Sequence, residues 1–67
     1  MRLSYQQVLI LKKLYKKPCY SFEFKSLYRY ANLYSSLKNL QNKGLIKKKN
    51  GYYTITEKGK KILLMYF

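Results

Sequence analysis

Two residues restrict this chain more than any others. Asn50-Gly51 stands between the runs Ile46-Lys47-Lys48-Lys49 and Tyr52-Tyr53-Thr54-Ile55-Thr56. Both residue types tolerate positive φ, and a type I′ turn needs positive φ at both of its central positions. A two-residue loop of that kind sets the register of the hairpin it closes. Lys49 then faces Tyr52, Lys48 faces Tyr53, Lys47 faces Thr54 and Ile46 faces Ile55. Ile46, Lys48, Tyr53 and Ile55 share one face, which the two isoleucines mark as the core side. Lys47, Lys49, Tyr52 and Thr54 share the other. Lys48 is expected to lay its stem over Tyr53 and send its ammonium out to solvent.

The flanking sequence reads as helix. Ser4 with Gln7 three residues later makes a capping box, and Val8, Leu11, Leu14 and Tyr15 follow at helical spacing. Lys16 and Lys17 suit a last turn and Pro18 stops it, so a first helix is read over 5–17. Cys19-Tyr20 is a short extended link that can serve as an edge strand. Ser21 caps a short second helix, 22–29, with Glu23 in its first turn and Phe24, Leu27 and Tyr28 along one side. Tyr30-Ala31-Asn32 makes a tight corner. Asn32 caps a third helix, 33–43, whose Leu33, Leu37 and Leu40 share a face. Gly44 followed by Leu45 closes that helix in a Schellman arrangement. The hairpin fills 45–56, and Thr56 caps a last helix, 57–66. Gly59 inside it costs about 1 kcal/mol against alanine, which points to close packing there.

Composition narrows the function. The 67 residues carry 15 Lys or Arg and two acids, a net charge of +13 with a pI near 10.0. Self-repulsion of that size opposes a compact state and suits a polyanionic partner: DNA, RNA or an anionic membrane. A chain this short buries only about 60% of its unfolded surface, so its core is marginal without a staple or a partner. The lone Cys19 offers no internal disulfide and reads as a small buried hydrophobe. With no histidine or aspartate, and only Glu23 and Glu57 as carboxylates, the chain lacks the usual means of acid–base, metal and triad chemistry. No enzyme activity, cofactor or metal is expected. The longest apolar runs, Val8 to Leu11 and Ile62 to Phe67, are too short for a membrane span or a signal peptide. The expected location is the cytoplasm, with the nucleoid. The A/T-codon bias toward Lys, Tyr, Asn, Ile and Phe fits an archaeal, mobile-element or viral source, in the last case placing the protein in the host cytoplasm.

Helix, short helix, tight turn, helix, hairpin, helix is the order of an α+β winged helix-turn-helix domain. The expectation is a single domain over 1–67: a three-helix core, a two-stranded β-hairpin wing and a C-terminal helix. Leu33-Tyr34-Ser35-Ser36-Leu37-Lys38-Asn39-Leu40 running to Gly44-Leu45-Ile46 resembles the recognition helix of MarR- and PadR-type transcriptional regulators. Tyr53-Thr54-Ile55-Thr56-Glu57-Lys58-Gly59 resembles their wing exit. The match covers about half the chain. It implies double-stranded DNA as the partner. The compact second helix departs from the family pattern. The families' long dimerisation helices and effector pockets have no room in this sequence, so no small-molecule effector is expected.

With its leucines inward, the third helix turns Ser35, Lys38, Asn39 and Asn42 outward, with Asn32, Tyr34 and Ser36 beside them. Short polar side chains around one cation suit base edges: Asn pairs with adenine, Lys with guanine, Ser with several. These residues are the expected major-groove contacts, although an ordinary solvated face and a half-buried Tyr34 are both open alternatives. Lys47, Lys49, Asn50, Tyr52 and Thr54 on the wing, with Lys25 and Arg29 on the second helix, are the expected phosphate contacts. Lys12, Lys13, Lys16 and Lys17 read as a solvated face, while Lys58, Lys60 and Lys61 suit either phosphates or solubility. Leu9, Ile10, Leu63, Leu64, Tyr66 and Phe67 exceed what one face per helix buries. They serve either as scaffold between the terminal helices or as a homodimer interface that sets two recognition helices about one DNA turn apart. The leading reading is a sequence-specific regulator. An architectural DNA-coating protein and a basic amphipathic module for membranes or proteins are the alternatives.

Overall fold

A computed structural model describes residues 2–27 and 33–66, without the side chains of 25–27. Three α-helices, a 3-10 helix and a three-stranded antiparallel sheet form an α+β winged helix. In chain order they are α1 (Tyr5–Lys16), β1 (Cys19–Tyr20), the 3-10 helix (Ser21–Leu27), α2 (Leu33–Asn42), β2 (Ile46–Lys49), β3 (Tyr52–Ile55) and α3 (Glu57–Leu64).

Local chemistry explains most of these boundaries. The capping box is complete: Gln7 N–H donates to Ser4 Oγ at 3.2 Å, and Ser4 N–H donates to Gln7 Oε1 at 3.1 Å. Gln7 is therefore buried with its amide engaged, and Ile10 enters the core, whereas Tyr15, assigned to the inward stripe from spacing, is 49% exposed. At the end of α2, Leu45 N–H bonds Leu40 O at 3.0 Å and Gly44 N–H bonds Gln41 O at 2.9 Å, with Gly44 at φ 76°. That is the Schellman pairing, closed by a left-handed residue that glycine adopts without strain. α1, α2 and α3 each stop one or two residues short of their expected ends.

The second helix departs further from expectation. The short second helix expected over 22–29 is a 3-10 helix over Ser21–Leu27, and residues 28–29 lie outside the described residues. Glu23 Oε2 reaches back to accept Tyr20 N–H at 2.7 Å, which ties the start of the turn to β1. 3-10 turns serve as short connectors, and this one links β1 to the segment before α2. Arg29, the corner at 30–32 with its Asn32 cap, and Phe67 lie outside the described residues.

The wing has the expected register, with Ile46↔Ile55, Lys47↔Thr54, Lys48↔Tyr53 and Lys49↔Tyr52. Asn50 at φ 50° and Gly51 at φ 85° make the primed turn. The sheet carries one strand more than the two-stranded wing expected. β1 pairs with β3 through Cys19↔Tyr53 and Tyr20↔Tyr52, in strand order β1-β3-β2. Cys19 and Tyr53 therefore share the inner face. Leu11, Leu14, Phe24, Leu37, Leu40, Leu45, Ile46 and Leu63 surround them in one core. Phe24 meets Tyr53 edge-on, with ring centres 6.3 Å apart.

The start of α3 locks the base of the wing. Thr56 N–H donates to Leu45 O at 3.0 Å, and Thr56 Oγ1 lies 2.7 Å from Gly44 O and accepts Gly59 N–H at 3.0 Å. A Cβ on Gly59 would collide with the Leu45 carbonyl oxygen and stand 2.8 Å from Ile55 Cγ1. The glycine is there because two backbones touch.

Candidate nucleic-acid interface

α2 turns its leucines to the core and its polar residues to solvent. Leu37 and Leu40 are buried, Leu33 half-buried, and Tyr34, Ser35, Lys38, Asn39 and Asn42 exposed. Ser35, Asn39 and Asn42 follow one another at i, i+4 and i+7 and form a single stripe. Tyr34 and Lys38 form the stripe beside it, with Lys38 Nζ 5.9 Å from the Tyr34 ring centre. A cation over a ring face is attracted to it, and here the contact holds both long side chains over the helix surface. The same five residues line a shallow concavity of about 310 Å³. Tyr34 is 69% exposed, so the half-buried alternative does not hold. Ser36 is half-buried at the margin of the face.

On the wing, Lys47, Lys49 and Asn50 are exposed, and Tyr52 and Thr54 are half-buried on the outer face. Lys48 Nζ sits 5.6 Å from the ring centre of the buried Tyr53. The ammonium itself lies over the ring, where the stem alone was expected, and the register divides the three lysines between two faces. Both carboxylates already face lysines: Lys17 Nζ lies 3.9 Å from Glu23 Oε1, and Lys60 Nζ lies 3.6 Å from Glu57 Oε1.

The expected phosphate contact Lys25 is placed only in its backbone, while Arg29 and the base contact Asn32 fall outside the described residues. Ile10 and Leu63 are fully buried within the protomer, which removes them from any dimer surface. Leu9 is half-buried, Leu64 is 58% exposed, and Tyr66 is half-buried with its hydroxyl accepting Leu3 N–H at 2.9 Å. Two exposed aromatics on the sheet side escaped the sequence reading. Tyr20 and Phe22 stack with ring centres 5.5 Å apart and planes 8° from parallel. Their signal was an aromatic pair outside the apolar stripe of the second helix.

Burial, and to a lesser degree the Glu23 carboxylate, push the Cys19 thiol pKa up. Its Sγ donates to Lys17 O at 3.4 Å, so the residue is a packed core thiol. Among the described residues no three His, Cys, Asp or Glu gather as metal ligands, and no helix is long and apolar enough to cross a membrane.

Comparison with known proteins agrees with this geometry. The transcriptional regulator BldR from Sulfolobus solfataricus superposes with a TM-score of 0.84 at 26% identity, over 97% of this chain and 53% of its own. A PadR family transcription regulator from Clostridium difficile R20291 gives 0.75 at 29% identity, over 94% of this chain and 83% of its own. Bacillus subtilis PadR gives 0.77 at 25% identity, over 98% and 44%. The chain thus spans about half the length of BldR and less than half of Bacillus PadR. Curated proteins provide no match. The family model described as winged helix-turn-helix matches residues 21–66, most of the sequence, and the chain belongs to that family.

Proposed function

We propose that the protein is a sequence-specific regulator of transcription that binds double-stranded DNA and performs no catalysis. α2 enters the major groove and the wing lies along the phosphate backbone. The observation that carries this is the surface of α2. Tyr34, Ser35, Lys38, Asn39 and Asn42 form one concave face of short donors and acceptors around a single cation. A groove-reading helix needs that chemistry, and a pure coating helix would gain more from additional lysine. The solved regulators of the same fold support the reading.

Within the proposal, Tyr34, Ser35, Lys38 and Asn39 make the base or near-base contacts, with Asn32, Ser36 and Asn42 at the margins. Lys47, Lys49, Asn50, Tyr52, Thr54, Lys25 and Arg29 hold phosphates. Two copies pair through Leu9, Leu64, Tyr66 and Phe67, which supplements a small core and presents two recognition helices. Selection from random DNA fragments at two salt concentrations tests it. The expected result is an enriched motif bound about 10³-fold or more tighter than random duplex. Recovery of no motif, with affinity that simply scales with fragment length, would establish the architectural reading instead.

A further inference from the structure

The strand pairing sets two exposed rings that the duplex reading does not use, Tyr20 and Phe22, beside wing residues that it does. Tyr20 on β1 pairs with Tyr52 on β3, and Tyr52 pairs with Lys49 on β2. Paired residues of antiparallel strands share a face, so these three form one row across the outer face of the sheet. Thr54 and Lys47 form the next row. Phe22 then stacks on Tyr20, while Tyr52 meets Tyr20 edge-on with centres 6.0 Å apart and planes at 73°. Phe22 is 63% exposed and Tyr20 47%.

We propose that this outer face is a second nucleic-acid site, which stacks the unpaired bases of a single strand. The rings are held in place before any ligand arrives. Glu23 Oε2 accepts Tyr20 N–H at 2.7 Å, and Lys17 Nζ lies 3.9 Å from the other carboxylate oxygen. That tether sets the turn that places Phe22 against Tyr20, so little ordering entropy remains to oppose binding. Phe22 ends the stack, and a base continues it. Only unpaired nucleotides present free π-faces, because the bases of a duplex are already stacked on each other. Lys47 and Lys49 stand on the same face, where the phosphates of a strand lying across the rings would run. Aromatic rings beside a cationic track are the general means of holding single strands. The site depends on β1, the 3-10 helix and the sheet's outer face, shares Lys47 and Lys49 with the proposed duplex contacts, and is independent of what α2 reads.

The test compares two probes on the intact chain by fluorescence anisotropy. One is labelled oligothymidine of about 12 nucleotides, within the span of a single small stacking domain, and the other a duplex of mixed sequence. Phe22→Ala is expected to weaken oligothymidine binding about fivefold or more while duplex affinity stays within about twofold. Retained duplex binding also reports that the variant has folded. Phe22→Trp is expected to preserve oligothymidine binding, with tryptophan emission quenched as the strand is added. Equal loss on both probes, loss on neither, or tryptophan emission indifferent to the strand would overturn the proposal. So would a Phe22→Ala defect confined to phosphatidylserine vesicles, which would make the patch a lipid contact. Failure of the wild-type chain to select a duplex motif touches the regulator reading alone.

Discussion

Gly59 shows how much a single position can carry. A glycine inside a helix is unfavourable, and that cost pointed to close packing before the neighbour was known. The neighbour is the Leu45 carbonyl, which also accepts Thr56 N–H. Gly59→Ala cannot relax against a side chain, because the obstacle is backbone. Its expected cost is about 1–3 kcal/mol of unfolding free energy, read as a shift in urea midpoint with an unchanged m-value. Cys19 makes a chemical prediction. Its buried thiol, with the pKa pushed up, is expected to resist iodoacetamide at pH 8 in the native state and to react quickly in urea. The linkage has a definite sign. The raised folded pKa contributes stability that is complete below the unfolded thiol value, about 8.5, and is lost as pH rises through the folded value. Cys19→Ser should flatten that alkaline slope. Nothing in the sequence disclosed that Glu23 would lie close enough to add to the shift.

The hairpin and α2 are the elements whose faces can be tested separately. A two-residue primed turn leaves no freedom of register, which is why every wing pairing was readable beforehand. Lys47→Ala and Lys49→Ala are expected to weaken DNA binding about equally on all sequences, each lowering the salt slope by about one. Lys48→Ala should do less, because its ammonium sits over Tyr53. Equal behaviour of all three would contradict the division of faces. Asn39→Ala on α2 is expected to relax preference at one base position, costing about 1–3 kcal/mol on the selected site and little on random duplex. The 3-10 helix was not readable as such. Phe24, Leu27 and Tyr28 fit a 3.6-residue period, and over seven residues a 3.0 period differs too little to show. The structure adds what periodicity does not disclose: Glu23 accepts Tyr20 N–H at the start of that turn, next to the pairing of β1 with β3. Neither Cys19 nor Tyr20 signals that pairing alone.

Charge and size act on the chain as a unit. With +13 on 67 residues, binding to any duplex should fall steeply with salt. Six to ten phosphate contacts correspond to a loss of about 10³–10⁵ in affinity between 50 and 200 mM salt. Adding salt without DNA should raise thermal stability instead, by screening the protein's self-repulsion. The proposed dimer rests on the terminal helices. Leu64 is exposed while its neighbour Leu63 is fully buried, so the two leucines divide between surface and core. Leu64→Glu is expected to shift a dimer to monomer in sedimentation without lowering monomer stability by more than about 0.5 kcal/mol, as for an exposed site. A monomer at all concentrations in the unsubstituted protein would end the dimer proposal.

The sequence alone determined what short-range chemistry can encode. The caps at Ser4 and Thr56, the Schellman glycine, the Asn50-Gly51 turn with its register, and the leucine face of α2 all depend on residues within a few positions of each other. Those signals order the elements and mark the polar face, which is enough to recognise the fold. The tertiary structure decided what depends on contacts between distant segments. It turned Cys19-Tyr20 into a strand, drew the second helix into a 3-10 turn, and took Ile10 and Leu63 into the core. It also set Phe22, Tyr20 and Tyr52 side by side on one face. Periodicity says which residues share a side of an element, but packing chooses which side another element covers.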